Sequence, residues 1–123
     1  MTQVSKLKML ADLSGVNYAA KTTRWRRLVA QETAIRAQLR TLSDHMSAQP
    51  HDLSNLDYIA SGTDFAWRSW IEKQRDQLQI ELAQVLVQKA EETNAMKDAF
   101  GRREVAHRLW QNQRAQKGQD YTS

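Results

Sequence analysis

The sequence predicts an all-α protein: two long helices in an antiparallel coiled-coil hairpin, with a helix-containing loop near residues 47–63. Three observations lead to this prediction. One proline and four glycines interrupt 123 residues rich in strong helix formers. Apolar residues recur with the 3.5-residue period of a coiled-coil seam on both sides of that proline, Pro50. Finally, Pro50 disfavours helix in the residue before it and has no backbone donor. We expect a single hairpin domain over residues 1–123.

The first half of the chain carries a seam with alternating steps of three and four residues. The seam positions are Val4, Leu7, Ala11, Ser14, Tyr18, Lys21, Trp25, Leu28, Glu32, Ile35, Leu39, Leu42 and Met46. The repeat lasts for about six heptads, which is long for an ordinary globular helix. It predicts a first helix over about residues 3–47.

The pattern stops around Pro50, and residues 48–63 form the predicted connection. This is long for a helix–helix turn, where about two to eight residues are usual. The segment DLSNLDYIA is able to form a short helix with Asp52 as its cap. Gly62 and Thr63 then offer a stop and a new N-cap for the second long helix.

A second seam predicts a helix over about residues 64–116, followed by a frayed tail at 117–123. Its positions are Trp67, Ile71, Arg75, Leu78, Leu82, Val85, Lys89, Glu92, Met96, Ala99, Arg103, Ala106 and Trp110. Further apolar residues, Leu86, Phe100 and Leu109, flank this seam. The apolar stripe is therefore wider than a strict two-residue seam.

Folding the chain back at the connection aligns the two seams in antiparallel layers. The predicted register pairs Leu28 with Val85, Ile35 with Leu78, Leu7 with Ala106, Tyr18 with Met96, Trp25 with Lys89, Glu32 with Leu82 and Leu39 with Arg75. It also places Lys21 opposite Glu92, and we predict that this ion pair fixes the register. The charged heads of Glu32 and Arg75 must then reach sideways to water.

The net charge of +4 is distributed unevenly along the chain. No Lys or Arg occurs between Thr41 and Trp67, where Asp44, Asp52, Asp57 and Asp64 all fall. In a hairpin, both termini lie at one end and the connection at the other. We therefore expect a basic open end and an acidic tip.

The sequence lacks the patterns of an enzyme. There is no cysteine and no glycine-rich phosphate loop, and carboxylate pairs fall on predicted exposed helix. The histidines His45, His51 and His107 are scattered along the sequence. His45 and His51 lie near aspartates and could form a weak metal site in the loop, but we expect them to be solvated instead. We predict no catalytic, cofactor-binding or metal residues and no small-molecule substrate.

No stretch reaches the roughly 18 apolar residues of a membrane span, so a cytoplasmic location is expected.

Aromatic residues have two different predicted roles. Trp25 and Trp110 occupy seam positions and are expected to pack in the core. Phe65, Trp67 and Trp70 gather just after the connection. They either pack beneath the loop, against Leu53, Leu56 and Ile59, or form an exposed binding patch, since aromatic side chains are favoured hot-spot residues.

The segment from Phe65 to Arg114, and above all AFGRREVAHRLWQNQR, resembles the C-terminal half of FliJ, the coiled-coil stalk family of flagellar type III export, and its injectisome counterpart YscO. The resemblance implies a cytoplasmic hairpin, peripheral to the inner-membrane export apparatus. It would sit within a hexameric export ATPase and reach the export gate membrane protein, with export chaperones as further partners. The predicted ATPase contacts are Lys6, Lys8, Arg102, Arg103, Arg108 and Arg114, and the predicted gate contacts are Phe65, Trp67 and Trp70.

The basic end also permits a coiled coil that binds nucleic acid or ribosomes. Against this alternative, Asp12, Asp98 and Glu104 are interspersed among the basic residues, and no aromatic ladder accompanies them. A third alternative is a structural coiled coil that only dimerises. The export stalk is therefore the preferred prediction, and nucleic acid is disfavoured as a partner.

Overall fold

The computed structural model describes residues 2–47 and 57–122. These residues form two α-helices, α1 (Gln3–Ser47) and α2 (Asp57–Thr122), and no strand. The two helices pack against each other as a helical hairpin, so the predicted all-α hairpin fold is confirmed. Thr2 caps the start of α1, because its Oγ1 accepts a hydrogen bond from the Ser5 amide at 3.3 Å.

The second helix is longer than the sequence pattern predicts. It begins at Asp57 rather than near residue 64, and it continues to Thr122 rather than ending near residue 116. Gly62 and Thr63 therefore lie inside the helix and do not separate two elements. Each residue added to an existing helix gains a backbone hydrogen bond, whereas one interior glycine costs only about 1 kcal/mol. An ion pair between Arg68 Nε and Asp64 Oδ2 at 3.4 Å spans the next turn. The predicted cap, Asp52, lies outside the described residues.

The predicted seams are the faces that the two helices bury. Every seam position of α1 is buried or half-buried. The same holds along α2 except at Arg75, which is exposed, as expected for a charged head reaching water. Glu32 instead pairs with Arg36 on its own helix, with Nε and Oε2 3.0 Å apart. The heptad pattern therefore identified the packing faces correctly.

The chain divides into two compact units, each built from both helices. The central unit contains α1 from Leu28 and α2 up to Gln88. Its core is a cluster of branched aliphatic side chains. The members are Leu28, Ile35 and Val85, with Leu39, Leu78 and Leu82 packed against them. Ile71, only 1% exposed, is the most deeply buried large side chain.

The terminal unit contains α1 up to Arg27 and α2 from Lys89. Its buried residues are alanines, namely Ala11, Ala99 and Ala106. Side-chain contacts join the two helices beside them. The Tyr18 and Phe100 rings lie 5.6 Å apart in a tilted arrangement, and Trp25 Nε1 donates a hydrogen bond to Thr93 Oγ1 at 3.0 Å.

These contacts correct the predicted register of the terminal unit. Tyr18 was expected opposite Met96 and Trp25 beside Lys89, but their observed partners are Phe100 and Thr93. Both partners lie about four residues, or one helical turn, further along α2. Because seam positions recur every three or four residues, a slip of one turn still aligns seam with seam. The apolar pattern alone does not distinguish the two registers.

The predicted ion pair between Lys21 and Glu92 does not form. The ion pairs Arg36–Glu32 and Arg68–Asp64 each lie within one helix, and neither involves Lys21 or Glu92. Glu92 Oε2 is buried and has no hydrogen-bond partner. The shift of one turn explains this result, since it removes Glu92 from the level of Lys21. Glu92 therefore does not fix the register through this ion pair.

Candidate protein-interaction surfaces

All the basic residues predicted to contact an ATPase belong to the terminal unit. Lys6, Lys8, Arg102, Arg108 and Arg114 are exposed, whereas Arg103 is half-buried. All six side chains project from helical backbone, because each lies within α1 or α2. The terminal unit therefore presents a concentration of positive charge to solvent, as the sequence predicted.

Two of these arginines rest on aromatic rings. The guanidinium carbon of Arg103 lies 5.3 Å from the centroid of Tyr18, and that of Arg114 lies 5.0 Å from Trp110. Such cation–π contacts restrain the arginines and contribute about 0.5–1 kcal/mol each at exposed sites. Arg103 thus has a packing role beside Tyr18, and the most freely available charges of the set are Lys6, Lys8, Arg102 and Arg108.

Sequence reasoning missed the amount of apolar surface on the terminal unit. The exposed large side chains there are Met9, Leu10, Leu13, Val16, Phe100, Val105 and Leu109. The flanking positions Phe100 and Leu109 gave the one signal visible in the sequence, a stripe wider than the seam. Large exposed apolar patches commonly mark protein-interaction sites.

Part of this apolar surface forms an open groove between α1 and α2, with a volume of about 730 Å³. We call it the apolar groove. Its lining residues are Leu10, Ser14, Lys97, Asp98, Gly101, Arg102, Val105, Ala106 and Leu109.

A second groove lies on the other side of the seam in the same unit, and we call it the polar groove. It measures about 430 Å³ and is lined by Gly15, Tyr18, Ala19, Thr22, Thr23, Arg26 and Arg103. The Thr22 and Thr23 hydroxyls donate to the carbonyls of Tyr18 and Ala19, each at 2.9 Å. The two grooves of the terminal unit therefore differ in chemistry, one largely aliphatic and one lined by hydroxyl and guanidinium groups.

The central unit carries the predicted gate contacts. Phe65 is 75% exposed and Trp70 is 55% exposed, while Trp67 is half-buried on the seam. Leu53 and Leu56, the proposed partners of the packed alternative, lie outside the described residues, and the Ile59 side chain is not described either. The exposed arrangement of Phe65 and Trp70 gives the central unit an aromatic surface on α2.

Neither a cluster of metal-ligand side chains nor a membrane-spanning helix occurs among the described residues. None of their His, Asp and Glu side chains form a group of three or more that could hold a metal ion. Asp52 and His51, considered for a loop site, are outside this part of the chain. Neither α1 nor α2, over the residues described, contains an apolar stretch long enough to cross a bilayer.

The described residues form a two-helix hairpin with exposed basic, apolar and aromatic surfaces. Comparisons with protein-family models, curated proteins and solved structures find no match to this chain. A function is therefore proposed from the chemistry of the exposed surfaces together with the sequence resemblance.

Proposed function

We propose that this chain is a non-enzymatic stalk or adaptor of a flagellar type III protein export apparatus, coupling the export ATPase ring to the export gate. The observation that carries the proposal is the exposed positive charge of the unit that contains the start of α1 and the end of α2. Both helices contribute exposed cations to this unit, among them Lys6 and Lys8 on α1 and Arg102 and Arg108 on α2. The resemblance of residues 65–114 to the FliJ stalk family supports the same assignment.

In this proposal the terminal unit docks in the central opening of a hexameric ATPase. Long-range attraction between its basic side chains and an acidic ring surface accelerates encounter, and salt screens that attraction. The apolar and aromatic side chains then stabilise the docked state, because rim charges act mainly on association rate. In this role the ring supplies the catalytic chemistry, and the hairpin supplies binding surfaces.

The aromatic surface of the central unit is the proposed contact with the gate, a membrane protein. Phe65 and Trp70 are large, exposed and held on a rigid helix, which are the properties of interface hot spots. Export chaperones are proposed as additional partners. The chain would then act in the cytoplasm, peripheral to the inner membrane, without a cofactor.

Charge reversal tests the ATPase contact. Replacing Lys6, Arg102 and Arg108 with glutamate is expected to weaken binding to the export ATPase encoded in the same genome by about tenfold or more at low salt, because complementary charge is lost. These residues are exposed and, unlike Arg103 and Arg114, do not stack on an aromatic ring, so helicity should be unchanged. The measurement is a titration of purified proteins by fluorescence anisotropy at two salt concentrations, with circular dichroism on each variant.

A matched control reverses Arg40, Lys73 and Arg75, which are exposed on the central unit. It makes the same change in net charge and should leave ATPase affinity within about twofold, since these residues lie outside the terminal unit and salt screens exposed charges. Unchanged affinity of the terminal-unit variant, with normal circular dichroism, would contradict the placement. Tight, salt-sensitive binding to random DNA or RNA without ATPase binding would favour the nucleic-acid alternative.

A further inference from the structure

The terminal unit buries small side chains and exposes large ones. Its buried residues Ala11, Ala99 and Ala106 are 4%, 3% and 3% exposed. Leu10, Val105 and Leu109, which lie next to them along the helices, remain 48%, 58% and 47% exposed. The central unit instead buries leucine, isoleucine and valine. Burial of apolar surface stabilises a protein by about 25 cal/mol per Å². Because alanine has a small side chain, a seam of alanines buries less apolar surface than the exposed leucines and valines of this unit would if they were covered.

The exposed aliphatic residues converge in the apolar groove. Leu10 and Val105 form its walls with Leu109, and Ala106 connects it to the buried seam. Ser14 adds little polarity, because its hydroxyl donates to the Leu10 carbonyl at 2.8 Å. A Cβ placed on Gly101 would meet no atom within 4 Å. The backbone of α2 is therefore accessible at Gly101, where another helix can approach closely.

Charge around this groove restricts its occupant. Lys97 and Arg102 line it together with a single carboxylate, Asp98. Just outside the lining, Lys6 lies one turn before Leu10 on α1, while Arg108 precedes Leu109 and Glu104 precedes Val105 on α2; all three are exposed. Basic residues therefore outnumber acidic ones around the groove. The rim is thus predominantly basic, while the floor is aliphatic.

Two other occupants fit this chemistry poorly. In a two-fold contact between copies of this chain, the same patch meets itself, and the basic rims would face each other. A nucleic acid would match the rim but would leave the aliphatic floor without an apolar partner, since phosphates dominate its contacts. An acidic amphipathic helix satisfies both the rim and the floor.

We infer that the apolar groove binds an amphipathic α-helix of a partner protein. The apolar residues of that helix, spaced at i, i+3, i+4 and i+7, enter the groove, and acidic residues flank them to meet the basic rim. The bound helix completes a three-helix arrangement with the segments of α1 and α2 in this unit. This inference goes beyond the proposed export function, because it depends only on the groove and names the chemistry of the partner segment.

The test uses a fluorescein-labelled synthetic peptide of about three heptads with Leu at positions a and d and Glu at positions e and g. Repulsion between glutamates keeps this peptide from pairing with itself. We expect it to bind the full chain and to gain helicity. A peptide with Lys in place of each Glu should bind at least about tenfold more weakly, since it faces the rim with like charge.

A pair of glycine substitutions locates the binding site. Gly101→Glu places bulk and negative charge in the apolar groove, and Gly15→Glu makes the same change in the polar groove of the same unit. Neither new Cβ meets an atom within 4 Å, and glutamate is a better helix former than glycine, so both variants should fold. We expect Gly101→Glu to weaken peptide binding about tenfold or more and Gly15→Glu to leave it within about twofold. In ¹⁵N spectra the Gly101 amide should shift on titration, with the Gly15 amide unmoved.

Several outcomes would overturn the inference. These are an acidic peptide that does not bind, acidic and basic peptides that bind equally, and equal effects of the two glycine substitutions. A dimer of the chain that Gly101→Glu dissociates would identify a second copy as the occupant instead. Duplex DNA that competes with the peptide at Gly101 would identify a nucleic acid. Because no ATPase takes part, a failed ring-binding experiment and a failed peptide experiment are distinguishable.

Discussion

Glu92 shows how the environment of one side chain depends on the partner helix. A glutamate at a seam position is tolerated when a cation faces it, which was the basis for pairing it with Lys21. In the structure its Oε2 is buried without a hydrogen-bond partner. A buried acceptor without a partner retains a desolvation cost of about 1–3 kcal/mol. We therefore expect Glu92 to destabilise the terminal unit relative to an apolar side chain at the same position.

Replacing Glu92 with leucine is expected to raise the free energy of unfolding by about 1 kcal/mol, because an unsatisfied acceptor is replaced by an apolar seam side chain. Thermal denaturation followed by circular dichroism measures the change. The control is Glu91→Leu, at the exposed neighbouring position, where the melting temperature should change little. A lower melting temperature for Glu92→Leu would mean that Glu92 makes a stabilising contact after all, with Lys21 as the first candidate.

At the scale of elements, the unexpected feature is the continuity of α2 through Gly62. The glycine followed by threonine is a common helix-stop and helix-start pattern, yet both residues belong to one helix that begins at Asp57. Gly62 is exposed, and a Cβ there would meet no atom within 4 Å. The described glycines all have negative φ, so none requires a left-handed conformation. Gly62 is therefore an ordinary, mildly unfavourable helix residue.

Gly62→Ala is expected to stabilise the protein by about 0.5–1 kcal/mol, because alanine loses less conformational entropy in a helix. Gly62→Pro should destabilise it by about 3 kcal/mol and reduce helicity. Denaturant unfolding and circular dichroism measure both effects. Gly118→Ala, close to the end of α2, serves as the control and should have a smaller effect, since helix ends fray. If Gly62→Pro changes neither stability nor helicity, the helix begins after residue 62.

At the scale of the whole molecule, the connectivity is that of a hairpin whose first and last helical segments share the terminal unit. Within this unit, Tyr18 meets Phe100, the neighbour of Ala99. One heptad away in antiparallel directions lie Ala11 and Ala106, which are both buried. In this register Ala11 lies opposite Ala106, whereas the sequence pattern predicted Leu7 there.

A disulfide test separates the two registers and the hairpin itself. The chain has no native cysteine, so Ala11→Cys with Ala106→Cys introduces the only thiols. We expect a rapid intramolecular crosslink at low protein concentration, and a slower one for Leu7→Cys with Ala106→Cys, since bridging requires a Cα separation below about 7 Å. Non-reducing electrophoresis and mass spectrometry follow both reactions. Faster closure of the Leu7 pair would restore the first register, and purely intermolecular products would contradict the hairpin.

The sequence was sufficient to identify both long helices and the faces on which they pack. Heptad spacing is a local property, so positions such as Leu28, Ile35 and Ile71 could be assigned to the seam without knowledge of the partner helix. The basic character of the terminal unit followed equally directly, from charges such as Arg102 and Arg108 together with the return of the chain. Helix bounds were less well predicted, because a glycine such as Gly62 is compatible with either a stop or a continuous helix.

Only the tertiary structure determined the register of the helices, the burial of Glu92 Oε2 without a hydrogen-bond partner, and the apolar groove. A slip of one turn preserves the apolar match between seams, so the choice depends on the fit of particular side chains such as Tyr18 against Phe100. The groove depends on that choice too, because Leu10 and Val105 become its walls only when alanines occupy the seam between the helices. A periodic sequence pattern specifies which face of a helix is buried. The packing of side chains of different sizes specifies which residues of the partner helix lie opposite that face.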